Sequence, residues 1–301
     1  MASLDPVTLA VLQGRLEQLV DEMDATLFRS AFNPIIAEAH DASHGIYDRT
    51  TGATVAQGAS GLPVFVGSMS GAVSLIIDRT AKEGGPREGD IWIFNDPYRG
   101  GTHLNDMKLV QPFFHDGELF CWLASVGHYT DVGGAVPGNY NPSAIESAQE
   151  GVLIPPIRLV DGGELRSDIV DLVCAISRVP TNAYGDLFGQ LNALKLGVSR
   201  LTDLLDEFGA ATVSTGFTEL TARAASLMRS NIAALPDGTY SIDDFLDNDG
   251  SVDEPIQVSL DLTIEGERLV LDFTRTAGAV AGPVNISKST AIAACYVGLK
   301  H

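Results

Sequence analysis

Long helical patterns on either side of a strand-rich centre restrict most strongly how this chain of 301 residues can fold. From Pro6 onward, apolar side chains recur every three or four residues, which predicts an amphipathic helix that ends near Ala31. The same spacing over residues 184–229 predicts two further helices. Three strand-like runs lie between them, at residues 91–94, 107–114 and 119–125. This order predicts an α+β fold with mixed sheets and long packed helices.

Shorter patterns complete the outline. Two more hairpins are predicted, at residues 44–57 and 256–274. Three further helices are predicted, at residues 66–80, 145–149 and 286–300. The acidic stretch 243–253 lacks the terminal Glu of a calcium loop and is interpreted as an acidic turn. A change of pattern near Asp237 divides the chain into a predicted metal-binding catalytic region, residues 1–236, and a hairpin region, residues 237–301.

The charge of the chain excludes some classes of partner. With 39 acidic and 19 basic residues, the formal net charge is −20. Such a field repels nucleic acid and anionic membrane surfaces, so neither is expected to bind. No export signal is recognisable at the start, and no run of about 18 apolar residues predicts a membrane span. Three widely spaced cysteines in apolar runs suggest free thiols in a reducing cytoplasm.

Two glycine-rich runs carry the same His-x-x-Asp spacing. His103 precedes Asp106 by three residues, and His128 precedes Asp131 by three. Both runs lie in loops at the ends of predicted strands, where functional groups are commonly placed. The neighbouring glycines allow the backbone to turn tightly around an ion. These four side chains are therefore predicted to form two halves of one metal site.

The same residues also have a purely structural interpretation. Aspartates in glycine-rich turns often accept hydrogen bonds from backbone N–H groups, and His103 could cap a turn. Asp96 either supports the metal ligands or forms a turn before Pro97. His44 either lines a pocket or belongs to a satisfied loop cluster. In a catalytic site, Asp131, Asp96 and His44 are the residues predicted to take part in the chemistry beside the ion.

The donor set indicates which ions such a site would hold. Imidazoles and carboxylates without a thiolate suit zinc, manganese or iron(II). A divalent metal of this kind polarises a carbonyl group or lowers the pKa of bound water. The sequence has no Walker-type loop and no dinucleotide-binding glycine motif after a strand. No nucleotide site is therefore predicted in this chain.

Five longer motifs occur in order along the chain. They are Asn95-Asp-Pro-Tyr-x-Gly-Gly-Thr-His-Leu-x-Asp106, Gly127-His-x-x-Asp-x-Gly-Gly134, Gln149-Glu-Gly-Val-x-Ile-Pro-Pro156, Gly185-Asp-Leu187 and Asp272-Phe-Thr with Gly282-Pro-x-Asn285. With these motifs the sequence resembles the hydantoinase B/5-oxoprolinase family over essentially its whole length. The resemblance implies a subunit of a hetero-oligomer that acts on a small molecule. Its partner would be a hydantoinase A-type ATPase subunit, which binds the ATP.

The resemblance implies two reactions. One is ATP-dependent hydrolysis of a cyclic amide such as a hydantoin, 5-oxoproline or a related lactam, and it is the first prediction. The alternative is ATP-dependent carboxylation of a ketone of the acetone or acetophenone type. A third possibility is a structural subunit without catalysis. Carried over by motif, the metal ligands are His103, Asp106 and His128, with Asp131 as a fourth ligand or an orienting carboxylate. Both reactions need the same metal, so the ligands do not separate them.

The chain departs from the family pattern at two positions. Phe65 and Tyr129 stand where many family members have histidine, which suggests a more apolar pocket and a ketone or hydrophobic lactam as substrate. Family members are also usually longer. The chain, whose sequence stops within the predicted helix 286–300, is therefore expected to be a fragment or the product of a split gene.

Overall fold

Two antiparallel sheets and eight helices make up residues 3–300, the part of the chain that the computed structural model describes. The helices are α1 (Pro6–Ser30), α2 (Pro34–Ala37), α3 (Pro63–Lys82), α4 (Ser147–Glu150), α5 (Ser167–Ala175), α6 (Pro180–Phe208), α7 (Ala210–Ala233) and α8 (Lys288–Lys300). The strands are β1 (Ala42–Asp48), β2 (Thr54–Gln57), β3 (Ile91–Phe94), β4 (Asp106–His115), β5 (Glu118–His128), β6 (Ile157–Asp161), β7 (Glu164–Leu165), β8 (Gly238–Leu246), β9 (Ile256–Glu265) and β10 (Arg268–Asp272).

The predicted α+β fold is confirmed, but the prediction of mixed sheets is wrong. The large sheet has the order β2-β1-β5-β4-β3-β6-β7, the small one β10-β9-β8, and every described pairing is antiparallel. The tight turn between β4 and β5 explains part of this result. It is formed by Asp116 and Gly117, both with positive φ, and two residues can join only antiparallel strands.

Helices cover both faces of the large sheet. On one face, α1 and α6 bury leucines such as Leu16 and Leu194 against Leu109 and Leu123 of the sheet. On the other face, α3 packs on the large side chains of β3 and β5, including Trp122. The two cores follow from the alternation of side chains along each strand. The centre of the sheet is therefore shielded on both sides.

Local sequence explains where α1 begins and ends. Asp5 precedes Pro6, and its carboxylate accepts hydrogen bonds from the backbone N–H groups of Val7 and Thr8. The helix ends before Asn33, whose side chain caps the short helix α2. The predicted helix boundaries therefore agree with the structure to within about one residue.

Helix α3 has the length and apolar composition of a membrane-spanning helix, which the sequence had not predicted. Its side chains Phe65, Met69, Val73 and Ile76 are nevertheless buried in the core against the sheet. Its opposite side contacts α8. In this structure α3 is a core helix.

The acidic stretch begins with a strand, so its interpretation as a turn throughout is wrong. β8 extends to Leu246 and pairs with β9 along its whole length. Asp243 in β8 and Asp261 in β9 both bind Arg275, which offsets part of their negative charge on one face of the small sheet. Because this partner lies far along the chain, the local charge density misled the prediction. A turn follows at Asp249, whose carboxylate accepts backbone hydrogen bonds from Ser251 and Val252.

Candidate metal centre

Three predicted ligands meet where neighbouring strands of the large sheet come to the same edge. Asp106 is the first residue of β4 and His128 is the last residue of β5, and the two are paired directly in the ladder. His103 lies in the preceding loop. Ligand atoms of these three residues all lie within 4.8 Å of one another. The structure thus brings His103, Asp106 and His128 into one cluster.

The buried carboxylate of Asp106 lies between the two imidazoles. Its Oδ1 atom is 2.8 Å from His128 Nδ1, and its Oδ2 atom is 3.0 Å from His103 Nδ1. The His103 side chain is 72% exposed, that of His128 is 23% exposed, and that of Asp106 is fully buried. The cluster therefore opens to solvent on the His103 side and is closed at the carboxylate.

Several donors hold Asp106 in its ionised form. Burial alone would raise the pKa of Asp106, but hydrogen bonds from His103 and His128 and the nearby charge of Lys108 lower it well below its usual range. Thr102 donates its hydroxyl to the same carboxylate, as does the backbone N–H of His103 at 2.8 Å. The bond to Asp106 in turn raises the pKa of His103. The ionised carboxylate of Asp106 therefore favours the binding of a cation at the cluster.

Lys108 lies fully buried beneath the cluster. Its ammonium group donates to the Thr102 hydroxyl at 3.3 Å and to the backbone carbonyl of Asp106 at 3.2 Å. Burial lowers the pKa of Lys108 to about 8, although the charge of Asp106 opposes that shift. The side chain thus fixes the loop that carries His103 to the start of β4.

Asp41, which sequence reasoning missed, faces the same cluster. It immediately precedes β1, next to β5 in the sheet, and its backbone carbonyl accepts the N–H of His128 at 3.0 Å. Its carboxylate lies 3.8 Å from His128 Nδ1. Burial raises the pKa of Asp41, His128 opposes the shift and the negative Asp106 adds to it. The only local signal in the sequence is an aspartate between two histidines at the start of a strand.

Asp131 does not belong to the cluster. One carboxylate oxygen accepts from the N–H groups of Gly133 and Arg178, and the other from Gly138 N–H and the Arg178 guanidinium, all at 3.0–3.1 Å. Burial would raise the pKa of Asp131, but these hydrogen bonds lower it. The turn interpretation therefore describes Asp131 better than the prediction that it is a metal ligand or a catalytic carboxylate.

Asp96 and His44 also have structural partners. Asp96 is buried and accepts the backbone N–H of Tyr98 at 3.0 Å, as expected of a turn-forming aspartate. His44 is fully buried between Asp24, at 2.7 Å, and Ser125, at 2.9 Å. A side chain enclosed in this way cannot touch a substrate. Its position does not support the prediction that His44 is catalytic, because the register of β1 turns it toward α1 and away from the cluster.

Neither of the two departures from the family pattern, Phe65 and Tyr129, forms an apolar pocket at the cluster. Phe65 belongs to α3 and is buried in the core between that helix and the sheet. Tyr129 is buried in the core on the other face of the sheet, where its hydroxyl donates to Gln190 at 3.0 Å. The suggestion of a more apolar pocket, which rested on these two residues, therefore finds no support in their positions.

The donor chemistry of the cluster fits a divalent metal. Two imidazoles and one ionised carboxylate are suitable ligands for zinc, manganese or iron(II). The Asp41 carboxylate lies at the same edge of the sheet, 3.8 Å from His128 Nδ1, as a candidate for a fourth donor. The cluster contains no thiolate among its described ligands, so the donor set is borderline to hard, as the sequence predicted.

Comparison with known proteins places the chain in a family. The family model described as hydantoinase B/oxoprolinase matches residues 5–301, so the chain belongs to the hydantoinase B/oxoprolinase family. Caprolactamase subunit beta from Pseudomonas jessenii is 33% identical over 299 residues, which is 99% of this chain and 51% of the relative. The chain therefore spans about half the length of that relative.

Two further proteins extend the comparison. Acetophenone carboxylase delta subunit from Aromatoleum aromaticum is 30% identical over 69% of this chain and 31% of its own length. Among solved structures, the ATP-dependent caprolactamase from Pseudomonas jessenii superimposes with a TM-score of 0.89 at 32% identity, over 99% of this chain and 51% of that one. Acetone carboxylase gives a TM-score of 0.91 at 20% identity, over 98% of this chain and 40% of that one, which shows a shared fold.

Proposed function

We propose that this chain is the metal-binding catalytic subunit of an ATP-dependent cyclic-amide hydrolase. The observation that carries the proposal is the cluster of His103, Asp106 and His128 at one sheet edge, in a chain of the hydantoinase B/oxoprolinase family. The likeness to an ATP-dependent caprolactamase supports a cyclic amide of the lactam type as the class of substrate. The free cysteines among the described residues support a cytoplasmic location.

The residues of the centre have separate roles in this proposal. His103, Asp106, His128 and Asp41 hold a zinc, manganese or iron(II) ion. When bound, the ion supplies Lewis-acid chemistry at the amide carbonyl. Lys108 and Thr102 keep Asp106 ionised and oriented. The exposed side of His103 is where the substrate enters.

The partner in this proposal is a hydantoinase A-type ATPase subunit. It binds ATP and activates the substrate. Relatives named as subunit beta and delta subunit support a hetero-oligomer.

Metal analysis tests the first part of the proposal. The purified chain is expected to retain close to one zinc, manganese or iron(II) ion per molecule after dialysis. His103→Ala and His128→Ala are each expected to lose it. His115→Ala, at the far end of the β4–β5 hairpin, is the matched control and is expected to retain it. Equal metal content in all variants would contradict the proposed centre.

A reconstitution assay tests the reaction. The chain is combined with the ATPase subunit and any polypeptide that completes the assembly, and supplied with ATP and caprolactam, a hydantoin or 5-oxoproline. Ring opening that needs no bicarbonate is expected, with loss of activity in His128→Ala. The alternative function is a ketone carboxylase, which the acetophenone carboxylase relative favours. Turnover of acetophenone or acetone that requires bicarbonate, without ring opening, would establish that alternative instead.

A further inference from the structure

A buried glutamine lies directly behind the proposed metal centre, on the opposite face of the sheet. Gln190 belongs to α6 and is fully buried. Its side-chain amide donates to the backbone carbonyl of Met107 at 3.1 Å and accepts from the Tyr129 hydroxyl at 3.0 Å. Met107 follows Asp106, and Tyr129 follows His128. Gln190 thus connects the two strand ends one residue beyond each of two proposed ligands.

The register of the sheet makes this arrangement possible. Met107 pairs with Gly127, next to the pair of Asp106 and His128. A methyl group added to Gly127 would lie 3.6 Å from Gln190 Cδ and 3.0 Å from Ile36 Cδ1. The missing side chain of Gly127 therefore leaves room for Gln190 to approach the ladder. Neighbouring residues on a strand point to opposite faces of the sheet. The ligands Asp106 and His128 therefore lie on one face and Gln190 packs against the other, so they do not touch.

Every polar atom of the Gln190 side chain has a partner. The second amide hydrogen donates to Ser125 Oγ at 3.1 Å, and Ser125 lies 2.9 Å from His44 Nε2. The chain of hydrogen bonds ends at Asp24 in α1. Asp24 Oδ2 has no partner, but every polar atom of the Gln190 side chain is bonded, and a buried network of this kind fixes the relative positions of its members. The catalytic role predicted for His44 is replaced here by a place in that network.

We propose that Gln190 and Tyr129 form a positioning clamp that sets the separation of Asp106 and His128 for metal binding. This inference rests on the proposed function. Neither residue touches the ion or the substrate. Residues that orient ligands from behind commonly affect metal affinity by roughly 10- to 100-fold. The clamp acts through the backbone of both strands.

The test compares metal affinity in folded variants. Gln190→Met keeps the length of the side chain and removes its hydrogen bonds, and Tyr129→Phe removes only the hydroxyl. Both are expected to weaken Zn²⁺ binding, measured by competition with a chromophoric chelator, by roughly 10- to 100-fold for Gln190→Met and less for Tyr129→Phe. In the double variant the losses are expected to be less than additive, since both changes open the same clamp.

Thr80→Val is the matched control. Thr80 is a buried hydroxyl that bonds only to carbonyls of its own helix, at 2.8 and 3.1 Å, so its loss destabilises the core without reaching either strand end. It is expected to keep the parent affinity. Urea unfolding establishes that each variant is folded. Parent-like Zn²⁺ affinity in folded Gln190→Met, or an equal loss in Thr80→Val, would overturn the clamp.

Two further readouts separate the clamp from the metal proposal. The visible absorption of bound Co²⁺ is expected to change in Gln190→Met, because the ligand geometry changes. A crystal structure of metal-free Gln190→Met is expected to show Asp106 Oδ1 and His128 Nδ1 farther apart than 2.8 Å. If the parent bound no metal, the proposed function would fail, and this distance would still decide the clamp. An unchanged distance would overturn it.

Discussion

Asp41 illustrates how much a single residue depends on its neighbours in space. In the sequence its only signal is its place between His40 and His44, whereas in the structure it lies beside His128 with an elevated pKa caused by burial. Ionisation of a buried carboxylate is costly when it is alone and becomes favourable beside a cation. Its position makes Asp41 a candidate for a fourth ligand, although none of the predicted motifs contains it.

The Asp41 assignment predicts weaker metal binding in Asp41→Asn. The amide keeps the size of the side chain and removes the negative charge, so Zn²⁺ affinity is expected to fall by at least roughly 10-fold. Isothermal titration calorimetry measures this change. Asp116→Asn, an exposed carboxylate at the tip of the β4–β5 turn, is the control and should match the parent. If both variants bound Zn²⁺ like the parent, Asp41 would not be a ligand.

Asp186 in α6 predicts a pH dependence of stability. It is fully buried, its Oδ1 atom accepts the N–H groups of Phe32 and Asn33, and Oδ2 has no partner. Burial raises its pKa from 3.8 to about 6, although the two N–H groups oppose the shift. Because the pKa of Asp186 is higher in the folded than in the unfolded state, its protonation stabilises the folded state. This contribution is complete below the unfolded-state pKa and is lost as the pH rises through about 6.

Asp186→Asn is expected to remove this pH dependence. Between about pH 4 and pH 7 the parent should lose up to about 3 kcal/mol relative to the variant, since one pKa unit corresponds to about 1.4 kcal/mol. Urea unfolding at several pH values measures the free energy of unfolding of both proteins. Asp237→Asn, which removes an exposed carboxylate outside the core, controls for the loss of one negative charge. Parallel curves for parent and Asp186→Asn would contradict the assignment.

The contact between α3 and α8 connects an element far along the chain to the candidate centre. A methyl group at Gly67 of α3 would lie only 2.5 Å from the Cα atom of Ala293 in α8. Ser287, which caps the start of α8, donates its hydroxyl to the Gly101 carbonyl at 3.1 Å. Gly101 lies in the loop that leads to His103. The packing of α8 on α3 therefore affects the position of His103, a proposed ligand.

Gly67→Ala is expected to force α8 away from α3. Because backbone atoms block the new methyl group, overpacking should lower the free energy of unfolding by about 1–3 kcal/mol. Gly14→Ala is the matched control, since nothing lies within 4 Å of the added methyl in α1. It should instead raise the free energy of unfolding by about 0.5–1 kcal/mol. Denaturant titration distinguishes the two, and a stabilised Gly67→Ala would show that α8 does not pack as described.

Most elements could be predicted from local pattern, and the exceptions have specific causes. The boundaries of α1 follow from Asp5 and the leucine spacing, and the β4–β5 hairpin follows from Asp116-Gly. β8 was missed because one of its acidic residues, Asp243, is paired with Arg275, which is 32 residues away. A local window does not contain that partner. Whether this segment forms a strand therefore depends on contacts with residues far away in the sequence.

On the scale of the whole molecule, the two sheets differ in how well they are covered. The centre of the large sheet lies between α1 and α6 on one side and α3 on the other. In contrast, all nine residues of β8 are exposed. The division predicted near Asp237 falls at the start of the small sheet, yet α8 returns to pack on α3. The predicted second region, residues 237–301, thus packs on the first region through α8.

Hydrogen exchange should reveal this difference. Amides in the buried part of β4 and β5 are expected to exchange only on global unfolding, because opening them exposes both cores. Amides of β8 should exchange at least about tenfold faster through local opening. Mass spectrometry of deuterium uptake in peptides from both sheets measures the rates. Equal protection would mean that the small sheet unfolds only together with the large one.

Local pattern in the sequence predicted six of the eight described helices and most of the strands, because periodicity and turn chemistry are local properties. The two His-x-x-Asp runs also contained His103, Asp106 and His128, together with Asp131. The tertiary structure decided what surrounds them: Asp41 beside His128, Gln190 behind the strands, and Arg178 on Asp131. These contacts join residues far apart in the chain. They depend on strand register and helix packing, and a shift of one residue in register would turn each of the strand side chains to the opposite face.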